Sequence, residues 1–132
     1  MGSRKVLIVE DDGDVRLECH LLLKAHNYET VAAADGASAV GVALKQRPDL
    51  IILDLGLHAG DGFVVLDRLR SNMHLAPIPV IVVSPRDSGQ NKERALKAGA
   101  RAYLQKPWGD AELMTAIGDA LGKALPSGAP SA

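Results

Sequence analysis

The chain contains 132 residues, 47% of them hydrophobic and 23% charged, which is typical of one globular domain and excludes an intrinsically disordered protein. Its 16 acidic and 15 basic side chains nearly cancel, so no overall electrostatic field attracts nucleic acid or an anionic membrane. No apolar run approaches the roughly 20 residues of a membrane-spanning helix, and the single cysteine, Cys19, excludes an internal disulfide; we therefore expect a cytoplasmic protein.

Five short runs rich in β-branched residues predict strands, at residues 6–9, 28–32, 50–53, 80–83 and 102–104. Three of these runs are apolar throughout, as expected for a parallel sheet that is covered on both faces. Apolar residues at helical spacing follow the first, third and fifth runs, in three sets: Val15, Cys19, Leu22 and Leu23; Phe63, Leu66 and Leu69; and Leu113, Ile117 and Leu121. The alternation of strand and helix predicts a doubly wound α/β fold with a five-stranded parallel sheet.

The ends of the chain differ in composition from its centre. We expect one folded domain over residues 5–125, preceded by an N-terminal extension at residues 1–4. Residues 126–132 are small and rich in Pro, Gly and Ser, which predicts a flexible tail or the start of a linker. No effector domain follows residue 125, so the chain is expected to be either a stand-alone domain or a piece of a longer protein.

Polar side chains follow four of the five predicted strands. Glu10 and Asp11 come after the first strand, Asp54 after the third, Ser84 after the fourth and Lys106 after the fifth. The second strand ends in alanines and would lie at the sheet edge if the strand order is 2-1-3-4-5. Because ligands of such sheets bind outside the carboxyl ends of the strands, these side chains are predicted to form one site.

The residue types at this rim favour phosphoryl transfer. The carboxylates of Glu10, Asp11 and Asp54 would repel one another, and Mg²⁺ relieves such repulsion because it prefers oxygen ligands. A carboxylate beside Mg²⁺ can act as a nucleophile towards a phosphoryl donor, and Asp54 suits this role because it stands alone on the central strand. Lys106 would neutralise charge on the transferred group, and the Ser84 hydroxyl could donate to one of its oxygens.

Four sequence motifs carrying these residues resemble the receiver domain of response regulators in two-component signal transduction. They are KVLIVEDD at residues 5–12, PDLIILD at 48–54, PVIVVS at 79–84 and GARAYLQKP at 99–107. The resemblance covers about residues 5–123, and all four motifs occur in order at suitable spacing. It implies a flavodoxin-like fold, with helices on both faces of a sheet ordered 2-1-3-4-5.

The resemblance also assigns roles to the residues of the metal and phosphoacceptor site. Asp54 would be the phosphoacceptor, which receives its phosphoryl group from a histidine kinase or a phosphotransfer protein. Asp11 would bind Mg²⁺ directly, with Glu10, Asp54 and the Gly56 carbonyl completing the set of ligands. Asp12 is an additional acid, and we expect it to cap the first helix. The chain would catalyse only its own phosphorylation and dephosphorylation and would turn over no external substrate.

The remaining assignments concern the response to phosphorylation. Ser84 and Lys106 would contact the phosphoryl group, and the bond between Lys106 and Pro107 would be cis. Ser84 and Tyr103 would act as switch residues, with the region around Tyr103 binding a downstream protein or effector domain. A homodimer through this region is compatible with the resemblance. Trp108, which follows the Lys-Pro pair, would serve either the core or a partner.

Two departures from the family pattern bear on phosphorylation. Receiver domains carry a small residue with a backbone N–H after the Ser or Thr, and this chain has Pro85, which has no N–H to donate. A proline usually stands four residues after the phosphoacceptor, where this chain has His58. Together with Gly56, His58 predicts a looser loop. Pro85 predicts slower or less stable phosphorylation.

Other functions remain to be compared with this one. A non-phosphorylated (pseudo-receiver) interaction module would keep the fold, and Pro85 supports that alternative. A phosphatase with an aspartyl nucleophile usually has a second Asp where this chain has Gly56, so this function is disfavoured. A flavin protein is disfavoured as well, because no Ser/Thr-Gly loop follows the first strand. Residues 84–106 contain six basic side chains against Asp87 and Glu93; a solvated helix face or a protein-binding face is favoured over direct nucleic-acid contact.

Overall fold

Strands and helices alternate in the computed structural model, which describes residues 4–57, 62–85 and 89–124. The strands are β1 (Lys5–Val9), β2 (Glu29–Ala33), β3 (Leu50–Asp54), β4 (Val80–Ser84) and β5 (Ala102–Gln105). The helices are α1 (Gly13–Ala25), α2 (Gly36–Gln46), α3 (Gly62–Ser71), α4 (Gly89–Lys97) and α5 (Asp110–Ala124). All five predicted strands are present. Residues 1–3, His58 and the predicted tail at 126–132 lie outside the described residues.

Each strand has at least one boundary that differs by one residue from the prediction, and the start of β2 has a clear physical reason. The second strand was expected to start at Tyr28, but β2 starts at Glu29. The Tyr28 N–H donates to the carbonyl oxygen of Leu23 over 3.0 Å, and Asn27 adopts a left-handed conformation with φ of 69°. Tyr28 therefore lies in the turn after α1, where backbone groups close the helix before the strand begins.

The five strands form one parallel sheet in the order β2-β1-β3-β4-β5, which confirms the predicted topology. The register places Val9 of β1 beside Leu53 of β3 and Asp54 of β3 beside Val83 of β4. Ser84 of β4 lies beside Gln105 of β5. The carboxyl ends of the four strands expected to carry polar residues are thus aligned at one edge of the sheet.

Alternate residues of the central strands supply two apolar layers, one on each face of the sheet. One layer packs against α2, α3 and α4 and includes Leu7, Val9, Ile51, Leu53, Val80 and Val82. The other packs against α1 and α5 and includes Val6, Ile8, Leu50, Ile52, Ile81 and Val83. Helices therefore cover both faces. Within the described ranges, no helix has the length and hydrophobicity needed to span a lipid bilayer.

Two residues show how closely the layers pack. Cys19 is buried in the α1–α5 layer, and burial, followed by the charge of Glu10, raises the pKa of its thiol to about 12; it acts as a packing residue. A Cβ added to Gly62 would lie 2.6 Å from the Cα of Leu55. Glycine at this position lets α3 begin directly against the end of β3, which carries the candidate nucleophile.

Candidate functional site

Backbone hydrogen bonds beyond the strand ends hold the polar residues together. The N–H of Leu55, which follows Asp54, donates to the carbonyl oxygen of Val83 over 2.9 Å. The Lys106 N–H donates to the carbonyl oxygen of Ser84 over 2.7 Å. The pairing between β3, β4 and β5 therefore continues one residue past the strands, and it brings Asp54, Ser84 and Lys106 to neighbouring positions.

Three carboxylates converge at this edge of the sheet. Glu10, Asp11 and Asp54 each offer one oxygen, and these oxygens lie within 4.8 Å of one another. Glu10 and Asp54 are buried, with 3% of each residue exposed, and Asp11 is half-buried. A set of carboxylate oxygens at this separation fits a hard cation such as Mg²⁺. Because Asp11 is partly exposed to solvent, such a cation can keep part of its hydration shell.

The ammonium group of Lys106 lies between the two buried carboxylates. Its Nζ donates to Glu10 Oε1 over 2.7 Å and lies 3.3 Å from Asp54 Oδ2. Burial on its own would lower the pKa of Lys106, but the hydrogen bond to Glu10 and the charges of Asp54 and Glu10 outweigh it and raise that pKa. Lys106 is therefore a fixed positive charge directly beside the candidate nucleophile.

Asp54 has a second contact on its other oxygen. The backbone N–H of Gly56 donates to Asp54 Oδ1 over 2.9 Å, which orients the carboxylate from the side opposite Lys106. Lys106 and this N–H therefore hold one oxygen each of the Asp54 carboxylate. The structure thus joins Gly56 to the site through its N–H; the predicted role of its carbonyl as a metal ligand stays a prediction.

Glu10 carries the strongest shift of acidity at the site. Burial raises the pKa of its carboxyl to about 7, the hydrogen bond from Lys106 opposes this shift, and the charge of Asp54 adds to it. Since a carboxyl group must be ionised to bind a metal, a proton and a divalent cation compete for Glu10 near neutral pH.

This competition predicts that metal binding depends on pH. We expect the apparent dissociation constant for Mg²⁺ to be about tenfold larger at pH 6 than at pH 8, because Glu10 is mostly protonated at the lower pH. Titration calorimetry in two buffers of different ionisation enthalpy would measure both the affinity and the proton released. The pH dependence should flatten in Glu10→Gln; an equal affinity for Mg²⁺ at both pH values in the wild type would contradict the prediction.

The same shift sets the sign of the pH dependence of stability. Because the pKa of Glu10 lies above its ordinary value of 4.5, the folded metal-free chain holds this proton more tightly than the unfolded chain. The contribution of Glu10 to the free energy of unfolding therefore falls as the pH rises from 4.5 towards 7. Metal binding opposes that loss, because a cation stabilises the ionised carboxylate.

The turn between β1 and α1 carries two of the three acids. Asp12 caps α1, as predicted, since its Oδ1 accepts from the N–H groups of Asp14 and Val15 over 2.9 and 3.2 Å. The Asp12 N–H donates to Glu10 Oε2 over 3.2 Å. Arg16, which no sequence motif singled out, donates from Nη1 to the carbonyl oxygen of Glu10 over 2.7 Å.

Ser84 and Pro85 stand at the end of β4, the strand beside Asp54, and Tyr103 lies in β5, one strand further along the sheet. Ser84 is buried, and Pro85 is exposed. A Cβ added to Gly56 would lie 3.4 Å from Pro85 Cδ and 3.4 Å from Asp54 Oδ1, so the proline ring borders the space beside the nucleophile. Tyr103 is half-buried and packs against the α2–α4 layer; its switch role stays a prediction.

An open cleft of about 300 Å³ lies beside the site and includes Lys106 in its wall. Trp108 is half-buried, packs against the α1–α5 layer and lines this cleft. Pro85 and Pro107 lie in the same wall, and the Lys106–Pro107 bond is cis, as expected. Trp108 therefore has both a core contact and a face towards the cleft, next to the candidate metal site.

Sequence comparison agrees with this geometry. A family model described as the response regulator receiver domain matches residues 6–118. The transcriptional regulatory protein PrrA of Mycobacterium bovis is 38% identical over 115 residues, which cover 87% of this chain and 48% of PrrA. The chain therefore spans about half the length of such curated relatives.

Solved structures agree as well. A candidate response regulator from Chloroflexus aurantiacus superimposes with a TM-score of 0.87 at 30% identity, covering 91% of this chain and 98% of that one. The receiver domain of the sensor histidine kinase PA1611 from Pseudomonas aeruginosa gives a TM-score of 0.84 at 29% identity, over 92% and 99% of the two chains. That structure is described as holding a magnesium ion in the active-site cleft.

The flavodoxin-like fold, with three carboxylates and Lys106 at the carboxyl ends of its strands, is that of a signalling domain. The chain belongs to the response regulator receiver domain family of two-component systems. Its three converging carboxylates could hold a metal ion.

Proposed function

We propose that this domain is a phosphoacceptor switch in a two-component phosphorelay and that Asp54 is the residue phosphorylated. One observation carries the proposal: the Lys106 ammonium lies within 3.3 Å of an Asp54 oxygen at a site where two further carboxylates, Glu10 and Asp11, converge. A structural ion pair requires no third and fourth charged group. A transferred phosphoryl group and its metal ion require both.

The proposed reaction is an in-line transfer. A carboxylate oxygen of Asp54 attacks the phosphorus of a phosphohistidine on a histidine kinase or phosphotransfer protein, and an aspartyl phosphate forms as the phosphorus–nitrogen bond breaks. The histidine ring leaves with the electron pair of that bond. Attack by water on the aspartyl phosphate later returns free phosphate and the carboxylate. The domain therefore catalyses only its own phosphorylation and dephosphorylation.

The protein groups act on charge and orientation. The Gly56 N–H orients Asp54 through Oδ1, and the Lys106 ammonium neutralises charge on the transferred group. Mg²⁺, held by Glu10, Asp11 and Asp54, with the Gly56 carbonyl proposed as a further ligand, supplies additional neutralisation of the phosphoryl oxygens when it is bound. Ser84 is proposed to donate its hydroxyl to one of those oxygens.

The output is proposed to use the β5 side of the sheet. Contacts of Ser84 and Lys106 with the phosphoryl group would draw the loops after β4 and β5 inward and bias the surface around Tyr103 between two states. That surface would bind a downstream protein or effector domain, and it would also allow a homodimer. Because the formal net charge is −1, we propose no direct nucleic-acid contact for this domain. We also propose that it acts in the cytoplasm.

A non-phosphorylated interaction module is the second candidate, and Pro85 is the observation that favours it. Residue 85 has no N–H for the phosphoryl group, while the fold and the partner surface are unaffected. This alternative predicts that partner binding is intact in Asp54→Asn and independent of Mg²⁺.

Intact-mass analysis after incubation with a small-molecule phosphodonor tests the proposal. The wild type should gain one phosphoryl group in the presence of Mg²⁺ and none after chelation, and Asp54→Asn should gain none. Asp67→Asn, an exposed aspartate on α3, is the matched control and should behave like the wild type. A wild-type protein that gains no phosphoryl group, or an adduct that persists in Asp54→Asn, would refute the assignment.

A further inference from the structure

One residue, Arg16, fastens the turn between β1 and α1 at two points, one through its side chain and one through its backbone. Arg16 Nη1 donates to the carbonyl oxygen of Glu10 over 2.7 Å in a half-buried setting. The Arg16 backbone N–H donates to the carbonyl oxygen of Asp12 over 2.9 Å. Arg16 therefore holds the carbonyl groups on both sides of Asp11, the acid that reaches furthest towards solvent in the cluster.

The other groups of Glu10 are fixed by different parts of the fold. Its backbone N–H donates to the carbonyl oxygen of Ala33 in β2 over 3.1 Å, and its Oε1 accepts from Lys106 over 2.7 Å. These bonds connect Glu10 to the sheet and to the end of β5. The Arg16 bond connects the Glu10 backbone to α1, and together with the Asp12 cap it fixes the acidic turn to the helix.

The arginine reaches this position by folding across the first turn of α1. Its Nη2 lies 3.7 Å from the place that a Cβ on Gly13 would occupy, which is ordinary van der Waals contact. The guanidinium group therefore lies beside the first residue of α1 and is bonded to Glu10. A planar group held on two sides loses little additional freedom when the metal binds.

We propose that Arg16 is a positioning residue for the metal site, which presents the carboxylates of Glu10 and Asp11 to a divalent cation. The inference rests on the proposed function, because it takes Mg²⁺ as the ion. Mg²⁺ demands near-octahedral ligand geometry, and carboxylates on a turn meet that demand only when the turn is held in place. Residues that hold metal ligands without touching the metal typically affect metal affinity by about 10–100-fold.

The charge of Arg16 acts in the opposite direction. A positive group near three carboxylates lowers the local attraction for a cation. If charge dominated, removing Arg16 would tighten Mg²⁺ binding, and if positioning dominates, removing it weakens binding. The sign of the change in affinity therefore separates the two roles.

The experiment titrates MgCl₂ into the full chain while following Trp108 fluorescence, with Arg16→Gln and Arg16→Lys compared with the wild type. We expect Arg16→Gln to weaken Mg²⁺ binding by about tenfold. Arg16→Lys keeps the charge and one donor but lacks the planar fork, and it should weaken binding only by about threefold. Lys24→Gln removes one positive charge from α1 at a position roughly 12 Å further along the helix, beyond the Debye length, and should leave the affinity unchanged.

The outcomes separate this inference from the proposed function. Unchanged or tighter Mg²⁺ binding in Arg16→Gln, with a wild type that binds Mg²⁺ and is phosphorylated, overturns the inference alone. A wild type that binds no Mg²⁺ overturns both. Thermal melts without metal identify a variant that fails to fold. If Arg16→Gln is such a variant, the threefold weakening in Arg16→Lys supports the inference, and an affinity equal to that of the wild type overturns it.

Discussion

Replacing Lys106 by methionine is expected to lower the free energy of unfolding of the metal-free protein by about 2–3 kcal/mol at pH 8. The ammonium lies 2.7 Å from Glu10 and 3.3 Å from Asp54, and both carboxylate side chains are only 4% exposed. Removing their shared cation leaves two buried carboxylates without a counter-ion, so one of them stays charged and unpaired or takes up a proton. The expected loss is smaller than for a fully buried pair, because Lys106 itself is 18% exposed.

Two further consequences follow from the same geometry. Saturating Mg²⁺ should restore most of the lost stability, because the metal supplies the missing positive charge, and the variant should bind Mg²⁺ more tightly than the wild type. Phosphorylation of Lys106→Met should nevertheless be lost or strongly slowed, since the group that we propose to neutralise the phosphoryl oxygens is absent. Urea denaturation with Mg²⁺ or with a chelator, together with intact-mass analysis, measures these effects.

An exposed ion pair provides the control for this variant. Lys97 lies 3.2 Å from Glu93 on α4, and the two side chains are 76% and 71% exposed. Lys97→Met should change stability by no more than about 0.5 kcal/mol, as surface pairs do. If Lys106→Met is destabilised no more than Lys97→Met, or if Mg²⁺ brings no recovery, Lys106 does not hold the two buried charges together as described.

The site could be predicted from sequence wherever a strand carries its residue to the rim. The positions of Asp54 and Lys106 could be predicted because Asp54 directly follows an apolar run and Lys106 comes two residues after another. For α2 and α4, the sequence offered no set of large apolar residues at helical spacing. The buried residues of α2 are small, namely Gly36, Ala39 and Ala43, so a stripe of large apolar side chains is missing from its sequence.

Contacts made by long side chains lay beyond sequence reasoning. Arg16 reaches a carbonyl group six residues earlier in the chain, and no periodic pattern marks such a bond. The raised pKa of Glu10 likewise depends on its burial and on the charge of Asp54, which the fold brings beside it. Residue type and spacing identified the chemical groups at the rim, while the groups that position them became visible only when the turn and the helix were placed together.

Replacing Pro85 by alanine is expected to raise the rate of phosphorylation by about tenfold, to lengthen the lifetime of the aspartyl phosphate, or both. Alanine restores a backbone N–H next to Ser84, and a charge-assisted hydrogen bond from that N–H is worth about 1.5–3 kcal/mol before water is allowed to substitute for it. The rate and the lifetime are measured by intact mass over time with a small-molecule phosphodonor.

The proline ring offers a competing explanation that a second variant separates. The ring borders the space beside Asp54, with Pro85 Cδ 3.4 Å from the place of a Cβ on Gly56, so alanine also removes bulk. Pro85→Val restores the N–H but keeps a branched side chain. Faster phosphorylation in both variants identifies the missing donor as the cause, and an effect confined to Pro85→Ala identifies the bulk.

Pro77→Ala, at an exposed proline before β4, is the control for stability. Replacing a proline can lower the free energy of unfolding by about 0.4–1 kcal/mol, because the unfolded chain gains conformational freedom. If neither variant at position 85 changes rate or lifetime, Pro85 does not limit the chemistry at Asp54.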